Sequence, residues 1–156
     1  MNAAGLKTNP AAILLGGLAC GVLDISQAFL AWGLIKNVPP YRILQSVASG
    51  WFGPASFEMG WKSAVAGVGF HFLISFGAAA VYWVASRWIR FLLEHAIISG
   101  MIFGECVFFF MNYAVLPLSA IHRFPTYTLP LVLTGPIGHT FLVGLPIALL
   151  ARKYSH

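Results

Sequence analysis

Four long apolar stretches, each interrupted near its middle by an ionisable side chain, dominate the pattern of the chain. The first, AAILLGGLACGVLDISQAFLAWGLIK from Ala11 to Lys36, carries Asp24 close to its midpoint. About 20 apolar residues wound as a helix cross roughly 30 Å of hydrocarbon, so this run predicts a transmembrane span. A second run, about residues 63–85, is flanked by Trp61 and Lys62 at one end and by Trp83, Arg87, Trp88 and Arg90 at the other. Aromatic and basic residues at both ends mark the two headgroup levels. The third, about residues 95–118, contains Glu105, Asn112 and three consecutive phenylalanines, Phe108 to Phe110, and stops at Pro117. The fourth, about residues 129–150, holds His139 and is closed by Arg152 and Lys153. Pro136 and Pro146 predict kinks within it, which neighbouring helices can accommodate by satisfying the freed carbonyls.

Between the first two runs, Pro39 and Pro40 end one helix, and YRILQSVASGWF (residues 41–52) follows. Its apolar residues Ile43, Leu44, Val47, Trp51 and Phe52 gather near one face at helical spacing, but it is too short to span. It reads as a helix lying in the interface or dipping back into the protein. The whole pattern predicts an all-α polytopic fold, a single membrane domain over residues 1–156, with four spans and one short interfacial or re-entrant helix.

Composition agrees: 59% of residues are hydrophobic and 8% charged, with a mean hydropathy of +0.83, outside the balance of a soluble domain. The net charge of +5 does not indicate nucleic acid, because the nine Lys and Arg are scattered at the ends of apolar runs rather than gathered in a patch. With the N-terminus inside, the inner segments carry five basic residues (Lys7, Arg87, Arg90, Arg152, Lys153) against four outside (Lys36, Arg42, Lys62, Arg123), which favours cytoplasmic termini. Lys7 followed by an apolar run and Leu18-Ala19-Cys20 has a trace of a lipoprotein signal. The run continues through Phe29, Trp32 and Leu34, longer than a cleaved signal core, and reads as a retained span. Cys20 and Cys106 both lie inside apolar runs, so they form no extracellular disulfide framework.

Asp24, His71, Glu105 and His139 each fall within about four residues of the middle of a span, hence within roughly 6 Å of one level. Gly17, Cys20, Gly21, Asp24, Gln27, Ala28 and Ala31 form a small and polar stripe on the first span, of the kind that faces a bundle interior. Gly67 precedes His71 by four residues, as Gly135 precedes His139, a similarity expected if two helical hairpins were related by duplication. The structural alternative is that these groups only fix helix register. A carboxylate at mid-depth costs on the order of 3 kcal/mol to insert, whereas an interhelical hydrogen bond returns about 0.6 kcal/mol. That imbalance favours a functional polar centre.

Three uses of such a centre follow. Carboxylates and imidazoles can relay protons or bind a cation, with Gln27, Ser75 and Asn112 as further polar lining. Two histidines and two carboxylates, His71, His139, Asp24 and Glu105, suit a metal, with Cys20 and Cys106 as softer neighbours, and the two histidines alone suit a haem. Or the bundle is an accessory subunit packed against larger partners. No cofactor is required by the first reading. A soluble-type enzyme is disfavoured: there is no GxSxG, phosphate loop or CxxC. Four spans shield a centre poorly from lipid, so a homodimer or a larger membrane complex is expected.

ILQSVASGWFG (Ile43 to Gly53), FMNYAVLPLSA (Phe110 to Ala120), GVLDI (Gly21 to Ile25) and the late GLPIALLARK together resemble a family of small, functionally uncharacterised bacterial inner-membrane proteins with four predicted spans. The resemblance covers nearly the whole chain and implies that location and span count. It implies no activity and assigns no catalytic residue.

Overall fold

The computed structural model describes residues 9–155, which form helices joined by turns and loops, with no strand among them. Four helices are long and apolar enough to cross a membrane: α1 (Ala11–Lys36), α3 (Trp61–Ala85), α5 (Ala96–Leu118) and α6 (Leu129–Lys153). The short α2 (Pro40–Phe52) and a 3-10 turn (Gly53–Phe57) join α1 to α3, and the one-turn α4 (Phe91–Glu94) precedes α5. The chain is a multi-pass, all-α membrane protein, with spans within a few residues of those the sequence predicts.

The packing is the inverse of a soluble protein. Large apolar residues point outward: Leu14, Leu34, Leu73, Phe110 and Leu118 are all exposed. The buried positions are small or polar, Ala12, Gly16, Gly17, Cys20 and Gly21 on α1 and Ala64, Gly67, His71, Ser75 and Ala79 on α3. Lipid tails are as apolar as leucine, so burying leucine gains little in a bilayer. Close backbone approach and polar contacts hold the helices instead. Trp51, Trp61 and Trp88, each more than 70% exposed, stand outside the bundle.

α1 lies along α3 and α6, and α5 lies along α6, while α3 and α5 make at most marginal contact. A laterally open groove therefore remains between α3 and α5, walled by Ile74, Ala78, Val81, Val107 and Met111. At one end Tyr82 closes it, edge-on to Phe103 at 5.0 Å and with its hydroxyl donating to the Leu92 carbonyl at 2.7 Å. Ser99 joins this knot, 2.8 Å from the Tyr82 oxygen.

α1 stops at Asn37, which takes the left-handed conformation and directs its N–H to Gly33 and Trp32 carbonyls, before Pro39 and Pro40 exclude further winding. α2 turns back against α3. It buries its polar face, Gln45, Ala48 and Ser49, and leaves Trp51 exposed. The reason is a set of bonds that need polar side chains. Gln45 Nε2 donates to the Gly60 carbonyl at 2.8 Å. Ser56 donates to the Gln45 carbonyl at 2.7 Å, and Ser63 to the Ser56 carbonyl at 2.6 Å. Gly67 lets the Leu44 carbonyl lie against α3 where any Cβ would collide with it. The short helix is thus anchored into the bundle by its polar side. Ser56→Ala removes a buried bond to the Gln45 carbonyl, a loss of about 0.5–1.5 kcal/mol. Faster amide hydrogen exchange confined to α2 and the 3-10 turn is the expected readout.

The fourth span, α6, differs from a plain α-helix. It is wound as π-helix over Leu133–Ile137 and His139–Gly144, and α5 likewise over Met111–Val115. Pro136 and Pro146 lack the N–H that an α-ladder needs, so the predicted disturbance takes the form of wider turns. Such turns leave main-chain carbonyls for side chains to use.

Candidate functional site

The site is built where the π-wound part of α6 crosses α1. Gln27 of α1 points its amide at α6, and Gly138 is there because a side chain would occupy the space of that amide. Gln27 Nε2 donates one hydrogen to Asp24 Oδ1 at 3.1 Å and the other to the Thr134 carbonyl at 3.1 Å. Both amide hydrogens are consumed, so Gln27 holds Asp24 in place and ties α1 to α6.

His139 approaches the same carboxylate, with Nδ1 3.9 Å from Asp24 Oδ1 and the two side chains 17% and 23% exposed. This is outside hydrogen-bond reach but within ion-pair reach. His139 Nδ1 also lies 2.9 Å from the Thr134 carbonyl and 3.1 Å from the Gly135 carbonyl. Carbonyls only accept, so Nδ1 carries the hydrogen and Nε2 is the nitrogen left to take up a proton. The imidazole ring and the Asp24 carboxylate face one another across that gap. Phe108, fully buried, packs edge-on against the ring at 5.5 Å.

His71 reaches the centre from α3. Its Nε2 lies 2.8 Å from the Gly21 carbonyl of α1, which makes Nε2–H the donor and Nδ1 the free nitrogen. Ser75 donates to the His71 carbonyl at 2.9 Å, and Cys20 is buried against the Gly17 and Ser75 carbonyls. Asp24, His71, His139, Cys20 and Ser75 line one cavity of about 380 Å³, together with Ser46 of α2 and Ser119 and Arg123 beyond α5. Val107 and Met111 line both this cavity and the open groove between α3 and α5, so the two spaces adjoin.

The remaining expected members lie elsewhere. Glu105 is not among the cavity's lining residues. It accepts a bond from the Thr140 hydroxyl, which also sits 2.8 Å from the Pro136 carbonyl. Cys106 is exposed and lines the outer groove. Asn112 is buried, donating to the Phe108 carbonyl at 2.9 Å, and lines a separate pocket at the end of the bundle. Among the described residues no three His, Cys, Asp or Glu side chains gather as a metal site would require. The two glycine–histidine pairs are used differently: Gly67 admits α2 whereas Gly135 admits Phe108, and His71 bonds a neighbouring helix whereas His139 bonds its own.

Sequence reasoning missed Gln27 as the residue that fixes the acid, and it missed the Thr134 and Gly135 carbonyls altogether. The signal was present in Pro136 and its flanking glycines, which mark where the backbone becomes available to side chains. Comparison of the chain with family models, with curated proteins and with solved structures gave no match.

Proposed function

We propose that the protein binds and passes protons, or a small cation, at a centre formed by Asp24 and His139, with His71 lining the approach. The observation that carries this reading is the facing of Asp24 and His139 at 3.9 Å inside a transmembrane bundle, with both side chains bordering a cavity. Ionisable groups so placed are costly and mark ion or proton pathways. His139 Nε2 is free to accept a proton while Nδ1 anchors the ring. Asp24 places a carboxylate 3.9 Å from the ring, and Gln27 keeps that carboxylate from turning away. The family resemblance supports a bacterial inner membrane as its location, and the balance of basic residues supports cytoplasmic termini.

Asp24→Asn keeps the shape and the Gln27 contact but removes the charge. In proteoliposomes loaded with a pH-sensitive dye, proton flux is expected to fall by at least about tenfold, the effect of losing an interaction worth about 1.4 kcal/mol, while the helical circular dichroism signal and its melting stay unchanged. Flux equal to that of the unaltered protein would overturn the proposal.

A second reading, an accessory subunit or homodimer, is favoured by the groove between α3 and α5, which leaves apolar residues of both helices uncovered by the chain itself. It predicts that a larger assembly survives mild detergent and that Asp24→Asn leaves that assembly intact.

A further inference from the structure

At the end of the bundle where α1 and α5 stop and α6 begins, a pocket of about 430 Å³ is lined by Arg42, Arg123, Thr126 and Thr128, with Trp32 and Leu131 on its apolar side. Its charge is unbalanced. Among the described residues the ion pairs within 4.0 Å are Arg90 with Glu94 and His139 with Asp24, so neither Arg42 nor Arg123 has a carboxylate. Arg42 is half-buried, and its two bonds both go from Nη1 to neutral acceptors, the Phe57 carbonyl at 2.8 Å and Gln45 Oε1 at 3.1 Å. Those bonds fix the guanidinium in place and leave Nη2 and Nε for another acceptor. A partly desolvated cation held by neutral groups alone is an incomplete arrangement.

The wall opposite is incomplete in the same sense. Thr128 is the residue before the first turn of α6, where a threonine hydroxyl commonly caps the helix, yet it makes no capping bond. Its Oγ1 is buried without a partner. The helix that starts there brings the positive end of its dipole to the pocket, although Pro130 in its first turn carries no N–H. Two arginines, a helix start and threonine hydroxyls together present donors and positive charge, and no acceptor charge.

We infer that this pocket binds a phosphate group. Guanidinium forks and helix N-termini both match the geometry and charge of phosphate oxygens. Trp32 and Leu131 would then lie against whatever apolar portion the phosphate carries. The phosphate comes either as a free ion or as a lipid headgroup at the membrane surface. The site is distinct from the Asp24–His139 centre, though Arg123 lines both cavities.

The test uses the full chain in phosphatidylcholine nanodiscs with and without a small share of phosphatidic acid, reading protein-bound lipid by native mass spectrometry. Retention of phosphatidic acid, whose phosphate is an unblocked monoester, is expected over phosphatidylcholine, whose phosphate is a diester already paired with its own choline. Arg123→Gln, at an exposed position without bonds to the rest of the described fold, is expected to weaken it about tenfold, as the loss of one charged hydrogen bond would. Arg42→Lys, which keeps the charge but not the fork, serves as the second variant and is expected to show a smaller drop. Displacement of the lipid by inorganic phosphate supports the proposal with the free ion as a competent ligand, and arginine-dependent retention without displacement supports it with the headgroup as the source. Equal retention by the unaltered protein and both variants overturns it, as does equal retention of the two lipids together with no arginine-dependent binding of inorganic phosphate.

Discussion

Gly104→Val is expected to abolish the folded monomer in mild detergent, or to lower its melting midpoint by about 10 °C. On α5, Gly104 lies directly against the backbone of α6, and a Cβ there would collide with the His139 carbonyl and press on the Thr140 Cα. Because the obstacle is main chain rather than the end of a flexible side chain, no rotamer change relieves it. The two helices must move apart along their whole contact. Gly100 and Gly144 meet in the same seam, so the displacement spreads to a region already at its closest approach. Overpacking of this kind costs about 3 kcal/mol or more, and for a chain of this size that corresponds to roughly 10 °C. Separation would also draw His139 away from Asp24, so any surviving folded fraction should have lost proton flux. A melting point unchanged from the unaltered protein would show that α5 and α6 are not joined in this way.

Phe108→Ala carries the second largest expected loss. Phe108 is fully buried, fills the space over Gly135 and stands edge-on to the His139 ring. In a soluble core such a truncation costs about 3–5 kcal/mol. In a bilayer the separated helices find lipid as apolar as the core, so the transfer part of that figure is largely absent. The lost packing remains. A fall of about 2–3 kcal/mol, or some 5–10 °C in melting temperature, is expected, with a change in proton flux out of proportion to the lost stability because the void opens beside His139. Phe109→Ala serves as the control, since Phe109 is half exposed. An equal loss in both variants would mean that Phe108 acts only as apolar bulk.

These two positions illustrate what the sequence reveals and where it falls silent. The spans and the ends of α1 and α2 are legible because length, proline and interfacial tryptophans act locally. Asp24 and His139 are legible as residues of one level because each sits near the middle of its own span. The rotation of α5 is not legible. That helix is apolar on every side, so periodicity cannot say which face turns inward. Glu105 meets Thr140 and Cys106 faces the groove, so neither lines the cavity as a shared centre would require. In α6 the difficulty is sharper, since each wider turn shifts the residues beyond it around the axis relative to a regular α-helix. No count of spacing along the fourth run anticipates that His139 will bond the carbonyls of its own helix.

Where no partner chain covers it, the groove between α3 and α5 makes the bilayer itself one wall of the polar centre. From Val81 toward Val115 the groove lies open along that flank among the described residues, and acyl chains would then complete it. The dielectric around Asp24, His71 and His139 is then set in part by how ordered those chains are. A fluid membrane that admits more water lowers the cost of charge there, and a stiff one raises it. The same polypeptide would work at different rates in membranes of different lipid saturation, a dependence that no side chain encodes.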